Sequence, residues 1–499
     1  MSIKSRLLHS FAKKTARNIG WWSANATAAQ ELVFQKLIKK GRKTVFGKEH
    51  GFDKIKNYAA FRSQVPVRDY EALRPWMERV KKNEQDILWP GRPKYFAKTS
   101  GTTSGVKYIP LTPDSMPNHF GTARNALFNF YAKTGKGSWL DGKMIFLSGS
   151  PVMELTGNIP TGRLSGIVNH EVPRWLKRNQ MPSFQTNCIE DWEEKLERIV
   201  TETLPEDMRL ISGIPPWVQM YYERLLERSS REHIKDIFPN FSMFVYGGVN
   251  FEPYRASMEA LVGRQLDTLE TYPASEGFIA FQDEPGERGL LLNSDSGIFF
   301  EFVPAGEIFA ENPKRLSLKD VELGVNYALI INSTAGLWGY NIGDTVEFVS
   351  LRPHRIIVTG RVKHFISAFG EHVIGKEVDA AMLAAANKLD LNIVEYTVAP
   401  QVNPPEGGLP YHEWLVEFEK TPDNISAFAN AINEQMLQQN IYYTDLIKGN
   451  ILQPLKVVPL QKNAFRNYMK SQGKLGGQNK VPRLSNDRKI ADAMEVFKK

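Results

Sequence analysis

Residues 99–107, TSGTTSGVK, gather hydroxyls, glycines and a lysine into one short loop. Thr99, Ser100, Thr102, Thr103 and Ser104 can donate to phosphate oxygens, Gly101 and Gly105 let backbone amides approach an anion closely, and Lys107 brings positive charge. The set suits a triphosphate, yet it is not a Walker loop. Three residues instead of four separate the glycines, and Tyr108 follows the lysine where Ser or Thr is required. A P-loop NTPase is therefore disfavoured, and taken alone the stretch reads equally well as a flexible turn. In TYPASEG, Tyr272 offers a ring that can stack on a purine; Ser275 and Glu276 follow it, the carboxylate suited to the magnesium that accompanies a triphosphate. In GYNIGD, Asp344 follows a glycine turn just before an expected strand and can accept bonds from both ribose hydroxyls, although an aspartate in a hairpin turn is an equally ordinary reading. The stretch Gly360 to Asp379, GRVKHFISAFGEHVIGKEVD, carries Arg361 and Lys363. LGGQNKVPR near the end presents Lys480 on a glycine-rich turn, where a lysine is usually only solvated unless the fold sets it opposite a phosphate.

These residues need elements to carry them. From Trp21 to about Val80 the apolar spacing is mostly helical, and VPVRDYEALRPWMERVKK reads as a loop delivering a helix. Strand-like and helical runs then alternate: KMIFLSG, DWEEKLERIVTETL, RLISG, WVQMYYERLLERSS, MFVYGG, YRASMEALVG and LDTLETYPAS. Such alternation predicts an α/β domain with its sites at strand ends. The strand-rich set GLLLNSD, IFFEFVP, YALIINST and DTVEFVS is expected to form a sheet or barrel-like subdomain. Near Gly360 the pattern changes to helix, strand, strand, helix, strand, helix, which predicts a large domain over residues 1–360 and a small α+β domain over residues 361–499.

The whole chain narrows the classes further. Its 499 residues exceed one compact core, and 42% hydrophobic with 24% charged residues is ordinary for a folded globular protein. The net charge of +8 is spread along the chain without a zinc, RNP or basic-zipper pattern, so it reads as solvated surface and not as a nucleic-acid footprint. Cys188 is the only cysteine, which excludes intrachain disulfides and cysteine-based zinc sites and points to the cytoplasm. The most apolar stretches are interrupted by Asn, Ser and Gly and fall short of the ~20 apolar residues of a membrane span. The basic start, MSIKSRLLHSFAKKTARNIG, is expected to be an ordinary helix and not a transit peptide.

In their order and spacing, the hydroxyl and glycine loop with its lysine, the Y..SE, the Y..GD and the GR.....I...G......E stretches resemble the acyl-adenylate-forming superfamily, which includes acyl-CoA synthetases, luciferases and nonribosomal adenylation domains. A narrower resemblance covers almost the whole chain. FRSQVPVRDYEALRPWMERV, TSGTTSGVKYIP, FPNFSMFVYGGVNFEPY and LGGQNKVPRLSNDR are similar to the Gretchen Hagen family of acyl-acid amido synthetases, whose plant members conjugate carboxylic hormones such as auxin or jasmonate to amino acids. The resemblance implies an α/β fold: a large N-terminal adenylate-forming domain with mixed sheets and a barrel-like subdomain, and a small mobile α+β C-terminal domain. It implies ATP and Mg2+ as cofactors, a small carboxylic acid and an amino acid as partners, and two half-reactions, formation of acyl-AMP with release of pyrophosphate and then aminolysis.

Carried onto this sequence, the resemblance makes Thr99, Ser100, Gly101, Thr102, Thr103, Ser104 and Gly105 with Lys107 the holders of the β- and γ-phosphates. It places Tyr272 on the adenine face, Ser275 beside it, Gly247, Gly248 and Val249 along the adenine side, Asp344 with Arg361 on the ribose and Glu276 on magnesium. Lys480 would neutralise the carboxylate and α-phosphate, and Lys363 would be the hinge. Trp217 and Tyr221 are candidates for the acyl pocket, against the alternative that aromatic residues at helical spacing are core. The sequence departs from the plant pattern in three places: the phosphate loop is one residue shorter, His372 stands for a lysine, and Asn440 and Tyr443 lack the arginine that usually follows. Two other functions compete, an acyl-CoA or carrier ligase with a thiol acceptor and a non-catalytic nucleotide-binding protein. The GGQNKVPR tail favours amide synthesis over the first, and retention of Lys107, Glu276, Asp344 and Lys480 opposes the second.

Overall fold

A computed structural model describes residues 3–100, 106–172, 174–248, 251–362, 365–366, 371, 373–449, 451–475 and 480–499. The chain divides into two units, a large one of Met1–Gly248 with Arg264–Ile357 and a small one of Val249–Gly263 with Val358–Lys499.

The large unit opens with helices α1 (Ile3–Ala24) and α2 (Ala26–Gly41). In α2 the buried residues Ala26, Ala29, Gln30, Val33, Phe34, Leu37 and Ile38 recur at the three- and four-residue spacing of one helix face. Gln30 is tolerated there because its amide donates to the carbonyls of Ser294 and Ile298 and accepts from the Phe300 amide, each at 2.8 Å. Asp69 caps α3 (Tyr70–Lys81), its carboxylate accepting from the Ala72 amide at 3.1 Å. Two further helices, α4 (Trp192–Thr203) and α5 (Pro215–Ser229), pack together.

The first strands are β1 (Tyr95–Ser100), β2 (Val106–Leu111), β3 (Lys143–Phe146), β4 (Glu154–Thr156), β5 (Ile159–Gly162), β6 (Gln180–Met181), β7 (Met208–Ser212) and β8 (Met243–Gly247). They continue with β9 (Asp267–Ala274), β10 (Gly277–Phe281), β11 (Leu290–Leu292), β12 (Ile298–Pro304), β13 (Leu316–Ser317), β14 (Asn326–Ser333), β15 (Tyr340–Leu351) and β16 (His354–Arg361). A four-stranded sheet has the order β2-β1-β5-β4. A twelve-stranded sheet has the order β13-β12-β14-β15-β16-β11-β10-β9-β8-β7-β3-β6. Its β6-β3-β7-β8-β9 portion is parallel, as the alternating helices predict, and at β10 it turns antiparallel. The strand-rich set is therefore not a separate sheet. The short β9–β10 connection keeps β10 hydrogen-bonded to β9, and the later strands extend the parallel sheet from there.

Arg315 and Glu301 form the centre of a buried ionic network in this unit. The Arg315 guanidinium donates in two 2.8 Å bonds to the Glu301 carboxylate, also to the Arg62 carbonyl at 3.2 Å and to the Val65 carbonyl. Glu301 accepts in addition from the Asn332 amide at 2.7 Å and the Tyr58 hydroxyl at 2.8 Å.

In the small unit, helix α6 (Glu252–Val262) joins the C-terminal part of the chain. Strands β17 (Phe365–Ile366) and β18 (Val373–Ile374) pair antiparallel. Helix α7 (Gly375–Leu389) precedes β19 (Ile393–Gln401) and β20 (Tyr411–Phe418). Helices α8 (Ile425–Gln439) and α9 (Ile441–Lys448), β21 (Lys456–Pro459) and α10 (Ala464–Ser471) come next. This is the expected order with α9 and a last short helix, Lys489–Ala493, added. Asn440 starts α9 by accepting from the Tyr443 amide at 2.8 Å, so this pair has a structural explanation as a helix cap. Every residue of β20 is buried, and three of its polar side chains have partners: His412 with Glu371 at 2.8 Å, Glu413 with Arg488 and Lys498, and Glu417 with the amides of Asn463 and Phe465. Among the described residues no helix is long and apolar enough to cross a membrane.

Candidate active site

Strand β8 ends in two glycines for steric reasons. Gly247 lies opposite Thr271 in the parallel pair, and a Cβ on it would sit 2.2 Å from the Thr271 carbonyl oxygen. Gly248 has φ +84°, a conformation that disfavours any other residue. The result is bare backbone at the carboxyl end of a parallel strand, where α/β sheets place their ligands.

On the neighbouring strand, the Tyr272 hydroxyl donates to Asp344 Oδ2 at 2.6 Å. Ala274 pairs with Gly277, so Ser275 and Glu276 form the whole turn between β9 and β10. The Tyr340 hydroxyl donates to Glu276 Oε1 at 3.4 Å. Burial first, and the Glu276 charge second, hold the Tyr340 phenol well above its usual range, so it stays a neutral donor. Two tyrosine hydroxyls thus tie the start of β15 to the β9–β10 hairpin and bring Tyr272, Asp344 and Glu276 to one place.

Asp344 does not lie before a strand, as its glycine suggests, but within β15. The register with β14 shifts between Ala328, opposite Thr345, and Ile330, opposite Asn341. Gly343, at φ +89°, supplies the irregularity, and its amide donates to Asn341 Oδ1 at 2.8 Å. A bulge re-aims a side chain without ending the strand, which is why a turn signal and a strand coincide here.

The hydroxyl-rich loop connects β1 to β2, with Thr99 opposite Lys107 and Ser100 opposite Val106. Gly101, Thr102, Thr103, Ser104 and Gly105 lie outside the described residues, as do Val249, Lys363 and His372. The Lys107 ammonium sits 6.0 Å from the centre of the Tyr70 ring, and the Tyr70 hydroxyl accepts from the Tyr108 amide at 3.0 Å. The segment before Tyr70 also braces β15: the Arg68 amide donates to the Gly339 carbonyl and the Asn341 amide to the Arg68 carbonyl, both at 2.8 Å. Sequence reasoning missed Tyr70 and Tyr340, although both stand inside quoted stretches. Their signal is an aromatic beside each loop that needs holding.

Arg361 ends β16 and is exposed, and Lys480 is exposed in the small unit. Trp217 and Tyr221 lie on α5. The Trp217 ring packs edge-on against Trp192 at 5.0 Å, and Tyr221 is fully buried with its hydroxyl donating to Thr203 at 2.7 Å. Both side chains thus take part in the α4–α5 packing.

The profile of the GH3 family N-terminal domain matches residues 16–187, that of the GH3 family central domain residues 291–361, and that of the GH3 family C-terminal domain residues 376–489. The chain belongs to the GH3 family. It is 21% identical to the indole-3-acetic acid-amido synthetase GH3.3 of Arabidopsis thaliana, across 99% of this chain and 96% of that one. It is also 21% identical to the jasmonoyl-L-amino acid synthetase JAR4 of Nicotiana attenuata, across 92% of this chain and 91% of that one. Its fold matches the solved GH3.15 acyl acid amido synthetase with a TM-score of 0.79 at 15% identity, covering 96% of this chain and 94% of that one. In this GH3 chain the Tyr272, Asp344 and Glu276 group falls between or within the matched central region and the parallel strands that precede it.

Proposed function

We propose that this GH3 chain is an ATP-dependent acyl-acid amido synthetase. A carboxylate oxygen of the acid attacks the α-phosphorus of ATP, the bond to the β-phosphate oxygen breaks, and pyrophosphate leaves. An amino-acid nitrogen then attacks the acyl carbonyl, the bond to AMP breaks, and the amine gives up one proton. The observation that supports this best is the Tyr272–Asp344 bond: it sets a carboxylate beside an aromatic ring at the ends of parallel strands, next to the bare backbone of Gly247 and Gly248.

In this reading Asp344 and Arg361 hold the ribose, and Gly247, Gly248, Val249, Tyr272 and Ser275 surround the adenine. Ser100 to Lys107 hold the β- and γ-phosphates. Residues 1–360 bind ATP and acid, while residues 361–499, turning at Lys363, deliver Lys480. Glu276 fits Mg2+ by its chemistry. It is a hard oxygen donor in a two-residue turn. That suits a cation held by one carboxylate and phosphate oxygens; when bound it would neutralise phosphate charge. The single cysteine supports a cytoplasmic setting.

The reading is tested by pyrophosphate release with a panel of carboxylic acids, followed by product masses with a panel of amino acids. ATP binding without pyrophosphate from any acid counts against it. Asp344→Ala is expected to weaken ATP binding about ten- to hundredfold, the loss of hydrogen bonds to a charged group. Unchanged nucleotide affinity by calorimetry would remove Asp344 from the ribose.

A further inference from the structure

The backbone after Lys480 is fastened to the small unit's sheet. The Val398 amide donates to the Arg483 carbonyl and the Ser485 amide to the Val398 carbonyl, both at 2.9 Å, and the Thr397 hydroxyl donates to the Pro482 carbonyl at 2.8 Å. Lys480 therefore closely precedes a segment fastened to β19 by an isolated bridge between Leu484 and Val398.

The side chain that locks this segment is Arg483. Its guanidinium pairs with Glu395 on β19, lies 3.5 Å from Asp379 on α7 and donates to the Tyr254 hydroxyl on α6 at 2.6 Å. The Tyr254 hydroxyl donates onward to Glu395 at 3.0 Å, and the Tyr396 hydroxyl donates to Asp379 at 2.5 Å. Arg483 also lies over the Tyr396 ring, 4.3 Å from its centre. Burial raises the Tyr254 phenol despite the opposing pull of Arg483, which keeps it a neutral bridge. Arg483, Asp379 and Glu395 each keep only 14% of their side-chain surface exposed, so water supplies few substitutes for these partners. Lys480, three residues earlier, is exposed, and the course of its backbone depends on this anchor. Helix α6 is also the helix that follows the Gly247–Gly248 strand end along the chain, so one arginine holds both that helix and the segment after Lys480.

We infer that Arg483 and Tyr254 are positioning residues for the adenylation half-reaction, setting Lys480 through the Arg483–Tyr254–Glu395 junction; this rests on the assignment of Lys480 in the proposed function. A misplacement on the order of 1 Å costs up to about a hundredfold in rate, and loss of one bridging hydroxyl is expected to cost about tenfold. The test uses the full chain. Tyr254→Phe keeps the ring and removes the bridge, so it is expected to lower kcat for acyl-AMP formation about tenfold, leave KM for ATP unchanged and spare aminolysis of supplied acyl-AMP. Arg483→Lys, a point charge that can satisfy only one carboxylate, is expected to lose more in the same half-reaction, and Lys480→Ala is the control. If Lys480→Ala stops adenylation while Tyr254→Phe slows both half-reactions equally or neither, the positioning role is overturned and the assignment of Lys480 stands. If Lys480→Ala leaves adenylation intact, both fall.

Discussion

Lys480→Ala is expected to cut acyl-AMP formation by about 10²–10³-fold while leaving aminolysis of preformed acyl-AMP nearly intact. In the first half-reaction two anions meet, the attacking carboxylate and the α-phosphate. Like unit charges 4 Å apart repel by about 4 kcal/mol at the effective dielectric of a protein surface. A lysine between them offsets that repulsion and follows the charge as it moves onto the α-phosphate oxygens. In the second half-reaction the nucleophile is a neutral amine and no such encounter occurs, so the lysine has little left to do. The measurement is pyrophosphate release set against amide formation from synthetic acyl-AMP. Equal losses in the two, or none in the first, would remove the assigned role. Lys480→Arg is expected to recover only part of the rate, because a planar fork does not replace a compact charge.

The alternation of helical and strand runs made the parallel half of the large sheet legible, because period and turn residues are local properties. Its continuation past β10 was not. Whether β11 to β16 close on themselves or extend β9 depends on hydrogen bonds between residues far apart in sequence, and apolar alternation looks the same in both cases. The site shows the same division. Tyr272, Glu276 and Asp344 stand out by type and spacing, but the bulge at Gly343 that turns Asp344 is a matter of register with β14. The residues that hold them, Tyr340 and Tyr70, read as ordinary aromatics until their hydroxyls are traced to Glu276 and the Tyr108 amide. Helix α6 carries no local sign that it clusters with the C-terminal unit, since Tyr254 meets Arg483 across 229 positions of sequence.

Arg315→Ala is expected to destabilise the large unit by about 3–5 kcal/mol, and to weaken ATP binding as well. The pair it breaks is 4% exposed on the arginine side and fully buried on the other, so the Glu301 carboxylate would be left charged without its main partner. The same carboxylate holds the Asn332 amide at 2.7 Å, and Asn332 Oδ1 accepts from the Gly339 amide at 2.7 Å. Gly339 in turn accepts from Arg68, so the network reaches the first residues of β15 and, through them, Asp344. The loss therefore acts on stability and on the nucleotide site together. Denaturant unfolding and ATP titration of one variant measure both. The double change Glu301→Leu with Arg315→Met removes the stranded charge and is expected to regain most of the stability, since a buried pair exchanged for apolar groups of similar volume is often neutral. ATP affinity is expected to stay low in it, because Glu301→Leu takes from Asn332 the carboxylate that aims it at Gly339. Recovery of both quantities together would show that the network supports the fold alone.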